Sequence, residues 1–576
     1  MLLEMGLLAC MGSCIGLSGL EVAKALKKKE QIDVRMVEST EETMRKENLY
    51  KEYPIIYSEG DEEGFQIATN YYIQNNEYYK DAMYLNSMII GAPGSWKSTV
   101  GIYPNLLNKK LRGTLIINDP KGEFYNRTSN IQREFGRKVK KISFKEVGEK
   151  INVLRELETE DDVFEFAKTL MINASSFGLG LSQEQITWVN LSATLLTSLF
   201  CFVKNYKDKK VDNIAEALLL LQLAEDESEL EEILKKDALA YKYFLSYRAG
   251  GKSNAKNNIL LNITTMLSIF LSDFVREVTD ETTVNLNNLR KEEYAIYLCG
   301  DEVGSTKMAP VIAPIIQLFL KKSIELGPKP YQNEKEKSEI LDIHFLLDEF
   351  GNMGRIENLN QYLTMMREYR VNMYIVLQTF SQLNNYYTKS EVGAIMAGIG
   401  HVLFLTNNRE ASTVSKIVEM ACSEKKEHVE KHLDRNGELM KISTKYVVDN
   451  IITSGEAGSI ARGNGILFVG SQNIMKISFN RWFDESKYKE YCNIKPIKPI
   501  KSIKKKKSYK VPESVILNNH RKNNKSDIYL NSNLYKINPS MKEVALTTDT
   551  KEKNIKCSTK QKIEMEYQNF IDAYFK

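Results

Sequence analysis

Short apolar runs, each ending in a polar turn, recur along the middle of the chain. They are NSMIIG, TLIIND, RKVKKISF, EYAIYLCG, IHFLLDEF, MYIVLQT and HVLFLT. Helix-like stretches separate most of them, which is typical of a parallel sheet covered by helices on both faces. The pattern predicts an α/β fold around a central, mostly parallel sheet. A late hairpin is predicted over 465–480, turned at Ser471, Gln472 and Asn473.

The region from 158 to 280 has a different pattern of apolar and polar residues. It lacks strand-like runs and shows helical spacing of apolar residues in DDVFEFAKTLM, WVNLSATLLTSLFCFV and NILLNITTMLSIFL. We therefore expect an all-helical domain inserted between two strands, with the chain returning to strand at Tyr294. The segment around His428 and His432 is expected to form an exposed helix.

The N-terminus is mostly apolar from Leu2 to Ala23, and lysines follow at 27–29. Between Glu4 and Glu21 an uninterrupted helix would measure about 24 Å, against a hydrocarbon core of about 30 Å. We expect a short membrane anchor with its lysines on the cytoplasmic side. A buried or amphipathic helix is the alternative. No second spanning segment is expected.

Charge and cysteine content narrow the class of protein only slightly. The net charge of +4 does not by itself indicate a nucleic-acid-binding protein. The segment 495–525, however, carries ten lysines and one arginine against one glutamate, and would contact DNA phosphates or acidic lipids, or serve only for solubility. The seven cysteines contain no CxxC pair, which favours a reducing compartment over a disulfide framework.

The stretch GAPGSWKST follows the run NSMII and resembles a phosphate-binding loop, G-x-x-x-x-G-K-[ST]. In such loops, backbone N–H groups, a helix start and one lysine converge on phosphates, and the hydroxyl after the lysine binds Mg²⁺. Lys97 and Ser98 supply these two groups, but Trp96 stands where glycine is expected. The candidate nucleotide-binding residues are Gly91, Gly94, Ser95, Trp96, Lys97, Ser98 and Thr99.

Polar side chains follow three further strand-like runs. Asp348 and Glu349 end IHFLL, and are suited to holding Mg²⁺ and orienting a water molecule. Gln378 ends MYIVL, and would lie near the terminal phosphate if its strand neighbours that of Asp348. The turn DPKGE, with Asp119 and Lys121, follows TLIIN and reads in isolation as a turn that opens a helix.

These pieces occur together and in order as GAPGSWKST…PNLL…INDPKGEFY…FLLDEFGNMG…REYRVNMYIVLQTFSQL. The combination, over about residues 85–480, resembles the conjugative type IV coupling proteins, a TraG/TraD-like branch of the FtsK/HerA group of RecA-like motor ATPases. The resemblance implies a RecA-like P-loop domain with an inserted all-helical domain. It also implies a membrane-tethered, hexameric ATPase, using ATP and Mg²⁺, that receives a relaxase–DNA complex and delivers it to a type IV secretion channel.

The resemblance also implies roles for individual residues. Lys97 and Ser98 would bind phosphate and Mg²⁺, Asp348 would bind Mg²⁺, Glu349 would orient the attacking water, and Gln378 would sense the γ-phosphate. The family suggests that an arginine on the helix between the Asp-Glu strand and the Gln strand reaches into the neighbouring subunit's site. Arg367 fits this role best, with Arg370 as second choice.

Two departures from the family pattern leave alternatives open. The family usually has two spanning helices, whereas this chain has at most one short apolar segment at its N-terminus. Trp96 is the other departure, because a non-glycine residue forced into positive φ costs about 1–3 kcal/mol, whereas a negative φ with an outward indole would cost little. A DNA pump without a secretion channel and a hydrolysis-deficient scaffold therefore stay as alternatives.

The chain is accordingly divided into six predicted parts. These are a membrane anchor (1–29), a linker with edge elements (30–85), the first part of the ATPase domain (86–157), the all-α domain (158–280), the second part of the ATPase domain (281–494) and a basic, loosely ordered tail (495–576).

Overall fold

A computed structural model describes most of the central part of the chain. The described residues are 55–60, 62–74, 82–175, 183–207, 211–250, 253–300, 305–329, 332–406, 410–421, 423–433, 439–470, 473–495 and 513–523. The expected N-terminal anchor lies outside these ranges, as does most of the basic tail.

The strands of the described part fall into three sheets. In chain order they are β1 Ile55–Tyr57, β2 Phe65–Ala68, β3 Tyr71–Ile73, β4 Asn86–Ile90, β5 Thr114–Asp119, β6 Lys138–Ser143, β7 Tyr294–Cys299, β8 Ile343–Leu347, β9 Val371–Leu377, β10 Ile399–Leu405, β11 Ser423–Leu433, β12 Leu439–Asn450, β13 Asn464–Val469 and β14 Asn473–Ser478. Strands β1, β3 and β2 form a small antiparallel sheet, and β11 and β12 form a two-stranded ribbon.

The remaining strands form one nine-stranded sheet in the order β14-β13-β10-β4-β9-β8-β5-β7-β6. Every neighbouring pair from β10 to β6 is parallel, whereas β13 and β14 extend the sheet as an antiparallel hairpin. The predicted α/β fold with a mostly parallel sheet is confirmed, as is the late hairpin. The central strands β4, β8 and β9 are buried along their whole length, which explains why their sequences are mostly apolar.

Helices cover the sheet and fill the segment between β6 and β7. In chain order they are α1 Tyr103–Leu106, α2 Glu123–Glu134, α3 Val153–Glu156, α4 Glu160–Ala174, α5 Gln183–Asn205, α6 Ile214–Leu223, α7 Glu227–Leu234, α8 Ala238–Ala249, α9 Ser253–Met266, α10 Asp273–Val278, α11 Ala309–Glu325, α12 Glu334–Glu339, α13 Leu359–Met365, α14 Lys389–Ala397, α15 Ala411–Ala421, α16 Ser454–Gly458, α17 Lys489–Cys492 and α18 Val515–Asn523. Helix α18 belongs to a second compact unit that begins at Val515.

Helix α5 corrects the expectation that no second segment is long and apolar enough to span a membrane. Within the described residues, Glu184–Asn205 meets that criterion by length and composition, although 67% of its apolar window is buried inside the fold. Leu195, Leu199 and Phe200 on this helix are fully buried. Burial of this kind is typical of the core helix of a helical domain, so the segment is weak support for a membrane span.

The segment that contains His428 and His432 is not a helix, contrary to the prediction. It forms β11, which pairs antiparallel with β12 from Ser423 opposite Asn450 to Leu433 opposite Leu439. The β12 sequence KISTKYVV is rich in β-branched and aromatic residues, which favour strands. Pairing with this second strand therefore outweighs the local helical pattern of β11.

The strand order brings the predicted functional segments to one edge of the sheet. Strands β4, β9, β8 and β5 are successive neighbours and run parallel. Their carboxyl ends, and the polar turns that follow them, consequently meet at the same edge. This edge is where ligands bind in open α/β sheets.

Candidate nucleotide-binding site

The phosphate loop leaves β4 and turns back over the edge of the sheet. Gly91 N donates a hydrogen bond to the Leu377 carbonyl oxygen on β9 at 3.2 Å, which ties the start of the loop to its neighbour. A Cβ at Gly91 would lie 2.5 Å from Ser95 Oγ and 2.9 Å from Leu405 Cβ, so only glycine fits here. Gly94 has a φ of 77°, which also favours glycine.

Trp96 adopts the backbone conformation that glycine would take at this position. Its φ is 72°, in the left-handed region, so the loop keeps a glycine-like path at the cost of strain. The indole packs beside Gly463, on which a Cβ would lie 3.6 Å from the Cζ3 atom of the ring. The guanidinium carbons of Arg462 and Arg481 lie 5.7 and 5.3 Å from the ring centroid. Positive φ at Trp96 therefore occurs together with packing of its ring against Gly463 and two arginines.

Lys97 folds back into the loop. Its Nζ donates hydrogen bonds to the carbonyl oxygens of Gly91 at 2.6 Å and Ala92 at 3.0 Å. Burial lowers the pKa of Lys97, while the Asp348 and Glu349 carboxylates oppose that effect. The ammonium group is thus held at the concave side of the loop, where phosphate oxygens would replace the two carbonyls.

Ser98 and Asp348 meet across the site. Ser98 Oγ donates to Asp348 Oδ2 at 3.1 Å, and Glu349 N donates to Asp348 Oδ1 at 3.1 Å. Asn118 on β5 fixes the backbone, because its Nδ2 donates to the Asp348 carbonyl oxygen at 2.7 Å. Burial, with a further contribution from the Glu349 charge, raises the pKa of Asp348 to about 6. A hydroxyl beside a half-buried carboxylate suits a hard divalent cation such as Mg²⁺.

Glu349 and Gln378 flank this pair. Glu349 has a φ of 50°, a strained conformation of the kind that concentrates at functional sites. Its side chain is within 3.4 Å of Asn352 Nδ2, which donates to Oε2. Gln378 follows β9, and its backbone N–H donates to Gln382 Oε1 at 2.7 Å, leaving the Gln378 side chain to line the cavity.

A cavity of about 340 Å³ joins these groups. Its lining residues are Pro93, Gly94, Trp96, Lys97, Ser98, Thr99, Tyr103, Asp119, Pro120, Lys121, Glu123, Phe124, Asp348, Glu349 and Gln378. Gly91 and Ser95 belong to the loop but are not among them. Ser95 Oγ is buried and has no hydrogen-bond partner among the described residues.

The sequence had assigned no site role to one wall of this cavity, formed by Tyr103, Phe124 and the turn from Asp119 to Glu123. Asp119 accepts a hydrogen bond from Tyr125 N at 2.8 Å, and burial raises its pKa to about 7. The turn lies here because β5 is the immediate neighbour of β8, with Asn118 opposite Leu347. The ordered recurrence of strand-end polar turns was the signal that would have included it.

Arg367 is not brought to the cavity of its own chain. It is exposed and lies in the turn after α13, not on the helix as predicted. Arg370, the second choice, pairs with Asp342 at 2.5 Å, and its Nε donates to the Tyr84 hydroxyl at 3.2 Å. Arg370 therefore stabilises the opposite edge of the sheet, and Arg367 stays the better candidate for a residue that acts on another subunit.

A family model described as Type IV secretory system Conjugative DNA transfer matches residues 23–508 of the chain. Among curated proteins, Protein VirD4 of Rhizobium rhizogenes and Protein VirD4 of Agrobacterium fabrum are each 25% identical over 146 residues, which is 25% of this chain. That match spans only 21% of the length of each of these relatives.

Solved structures of a bacterial conjugative coupling protein, TrwB, share the fold. The unbound form that lacks the first part of the chain (TrwBΔN70) superposes with a TM-score of 0.54 at 16% identity, covering 73% of this chain and 89% of that one. The complex of TrwB with ADP and Mg²⁺ gives a TM-score of 0.51 at 18% identity, covering 69% and 85%.

Proposed function

The chain belongs to the type IV secretory system conjugative DNA transfer family, and from this premise we propose that it is an ATP-driven coupling protein. In this role it recruits a relaxase–DNA complex and passes it to a type IV secretion channel. The observation that carries the ATPase part is the contact between Ser98 Oγ and Asp348 Oδ2, beside Lys97 in one cavity. Two segments 250 residues apart in sequence meet there, which supports a nucleotide site.

ATP and Mg²⁺ are the proposed ligands. Ser98 and Asp348 would hold the metal, which would neutralise charge on the phosphates when bound. Supporting this choice, structures of the similarly folded TrwB were solved with a non-hydrolysable ATP analogue and with ADP and Mg²⁺. Asp348 must be ionised to act as a ligand, so its raised pKa makes metal binding dependent on pH near neutrality.

The proposed roles of the remaining residues follow from their positions. Lys97 exchanges the Gly91 and Ala92 carbonyls for phosphate oxygens, which adds a charge-assisted contact. Glu349 lies next to Asp348 at the strand end and orients a water molecule for attack. Gln378, from the adjacent strand, contacts the terminal phosphate and transmits its presence to β9.

Assembly and location complete the proposal. We propose a hexamer in which Arg367 reaches a neighbouring subunit's cavity, because it is exposed and lies outside its own. A positive charge there would stabilise the transferring phosphoryl group. We also propose attachment to the cytoplasmic face of the cell or inner membrane through residues 1–29, and non-specific contact with DNA, including single-stranded DNA.

The test is hydrolysis coupled to transfer. Lys97→Ala and Glu349→Gln should each abolish both DNA-stimulated ATP hydrolysis by the purified chain and conjugative DNA transfer in cells. The exposed Lys109→Ala is the matched control and should retain both. Unimpaired DNA transfer by both site variants would overturn the motor function. DNA-stimulated ATPase activity in a chain that works without a relaxase or a channel component would instead favour a DNA pump.

A hydrolysis-deficient scaffold is the second candidate, favoured by the strained backbone at Trp96. It predicts nucleotide binding without turnover in the wild type, and turnover in Trp96→Gly. Because the loop already follows a glycine-like path at Trp96, we prefer the active ATPase.

A further inference from the structure

Two arginines approach the phosphate loop from the side away from Asp348 and Glu349. Strand β4 lies between β9 and β10. On one side, β9 neighbours β8, which Asp348 follows; on the other side, β10 pairs with β13. Because Leu405 at the end of β10 is opposite Gly465, the segment before β13 lies at the carboxyl edge of the sheet, and so does the segment after β14. Arg462 and Arg481 occupy these two segments.

Trp96 connects both arginines to the loop. Their guanidinium groups lie within 6 Å of the indole centroid, the range in which a cation is attracted to the ring face, and tryptophan is the best of the aromatic partners. Arg462 also reaches the loop itself, since its Nη2 lies 3.9 Å from the position that a Cβ on Gly94 would occupy. Gly94 lines the nucleotide cavity.

The two arginines differ in what else they contact. Arg481 donates to both carboxylate oxygens of Asp484, at 2.6 and 3.1 Å, and packs on Phe483 with its Cζ 4.5 Å from the ring centroid. Arg462 is exposed, and no carboxylate among the described residues pairs with it. Arg462 does not itself line the cavity, but its guanidinium borders Gly94, which does.

We propose that Arg462 binds the phosphate groups of the nucleotide from within the same chain, and that Trp96 is the positioning residue that holds it over the loop. This rests on the proposed nucleotide site and adds to it a cation on the side opposite Asp348 and Glu349. It also gives a reason for tryptophan at a glycine position, because the aromatic ring provides a face on which the Arg462 guanidinium packs and a glycine would not. The ligand class is a polyphosphate, such as the chain of a nucleoside triphosphate.

The experiment measures binding of ATP and of inorganic tripolyphosphate to the purified full chain with Mg²⁺ present. Arg462→Gln should weaken the binding of both ligands by about tenfold or more, because it removes a charge-assisted hydrogen bond to the phosphate groups. Arg462→Lys should recover most of the loss, because it restores the charge. Arg481→Gln is the matched control and should stay within about twofold of wild type, because that arginine is already paired with Asp484.

Variants at Trp96 test whether its ring positions Arg462. Trp96→Phe should keep near wild-type affinity for both ligands, whereas Trp96→Leu should lose as much as Arg462→Gln. The double variant Trp96→Leu/Arg462→Gln should lose no more than either alone, because both changes remove the same contact.

Three outcomes would overturn the inference. Wild-type affinity for both ligands in Arg462→Gln would show that the arginine does not contact phosphate. Loss of ATP binding with unchanged tripolyphosphate binding would place the contact at the base or sugar instead. Failure of the wild-type chain to bind ATP would overturn the proposed function and this inference together, whereas the first two outcomes leave the proposed function intact.

Discussion

The left-handed backbone at Trp96 makes a prediction about stability that does not depend on nucleotide. Trp96→Gly and Trp96→Ala both remove the indole and its contacts with Arg462 and Arg481. The two variants therefore differ mainly in the backbone at a φ of 72°. Glycine adopts this conformation without strain, whereas alanine retains the clash of its Cβ.

The difference can be estimated from these terms. Loss of two cation–π contacts costs about 0.5–1 kcal/mol each in both variants, so it cancels in the comparison. The left-handed conformation costs a residue with a Cβ about 1–2 kcal/mol, partly offset by the greater chain entropy that glycine loses on folding, about 0.4–1 kcal/mol. Trp96→Gly should be the more stable variant by roughly 1 kcal/mol, which shifts the unfolding midpoint of a domain of nearly 300 residues by about 2 °C.

The assay is thermal unfolding of the nucleotide-free full chain, compared by midpoint because a chain with several domains does not unfold in a two-state manner. Gly393→Ala is the control of opposite sign, since Gly393 is an exposed helical glycine with no atom within 4 Å of an added Cβ. Gly393→Ala should raise the unfolding midpoint relative to wild type, whereas Trp96→Ala should have a lower midpoint than Trp96→Gly. Equal midpoints for Trp96→Gly and Trp96→Ala, or a higher one for alanine, would refute the strain argument.

Three further predictions concern other parts of the fold. Burial raises the pKa of Asp348 to about 6. Mg²⁺-dependent ATP binding, measured by calorimetry, should therefore strengthen as pH rises through about 5 to 7 and then level off. An affinity that does not change with pH would contradict the role of Asp348 as a Mg²⁺ ligand. Burial acts to raise the pKa of Glu391, but hydrogen bonds from Arg355 and Thr388 lower it to about 2, so this pair stabilises the fold above the unfolded-state pKa and the contribution is lost as pH falls towards 2. Arg355→Met should accordingly lower the unfolding midpoint at pH 7 and have less effect at about pH 3, and an effect that grows on acidification would disprove the linkage. Arg367→Ala should bind ATP normally but hydrolyse it slowly, and mixing it with inactive Glu349→Gln subunits should restore some turnover if the arginine acts between subunits; no recovery in mixed assemblies would argue against that role.

Much of the fold was predictable because the central sheet is parallel and buried on both faces. Strands such as β4, β8 and β9 must then be almost entirely apolar, and each ends where its polar functional residues begin. The same property located Lys97 and Asp348 at strand ends. Their meeting could be expected only from the ordered set of motifs, since it depends on which strands are neighbours.

Other features depend on contacts that no local pattern carries. Phe124, at the start of the helix after β5, lines the cavity because β5 lies beside β8, a pairing of strands more than 200 residues apart. The first half of the ribbon over Ser423–Asn450 was predicted to be a helix from its local sequence. It forms a strand because its pairing with the second half outweighs local propensity. The conformation of Trp96 was the open question in the loop, and its ring contacts Gly463, Arg462 and Arg481, residues about 370 to 385 positions further along the chain that no local pattern connects to it.

The most direct test of the central claim is ATP hydrolysis by the purified full chain, with and without single- and double-stranded DNA, in wild type and Glu349→Gln. We expect DNA-stimulated turnover in the wild type. Glu349→Gln should bind ATP with unchanged affinity but lose turnover, because this residue orients water and the phosphate loop is intact. Equal turnover in the two proteins, or no turnover in the wild type at any DNA concentration, would contradict the proposed ATPase function.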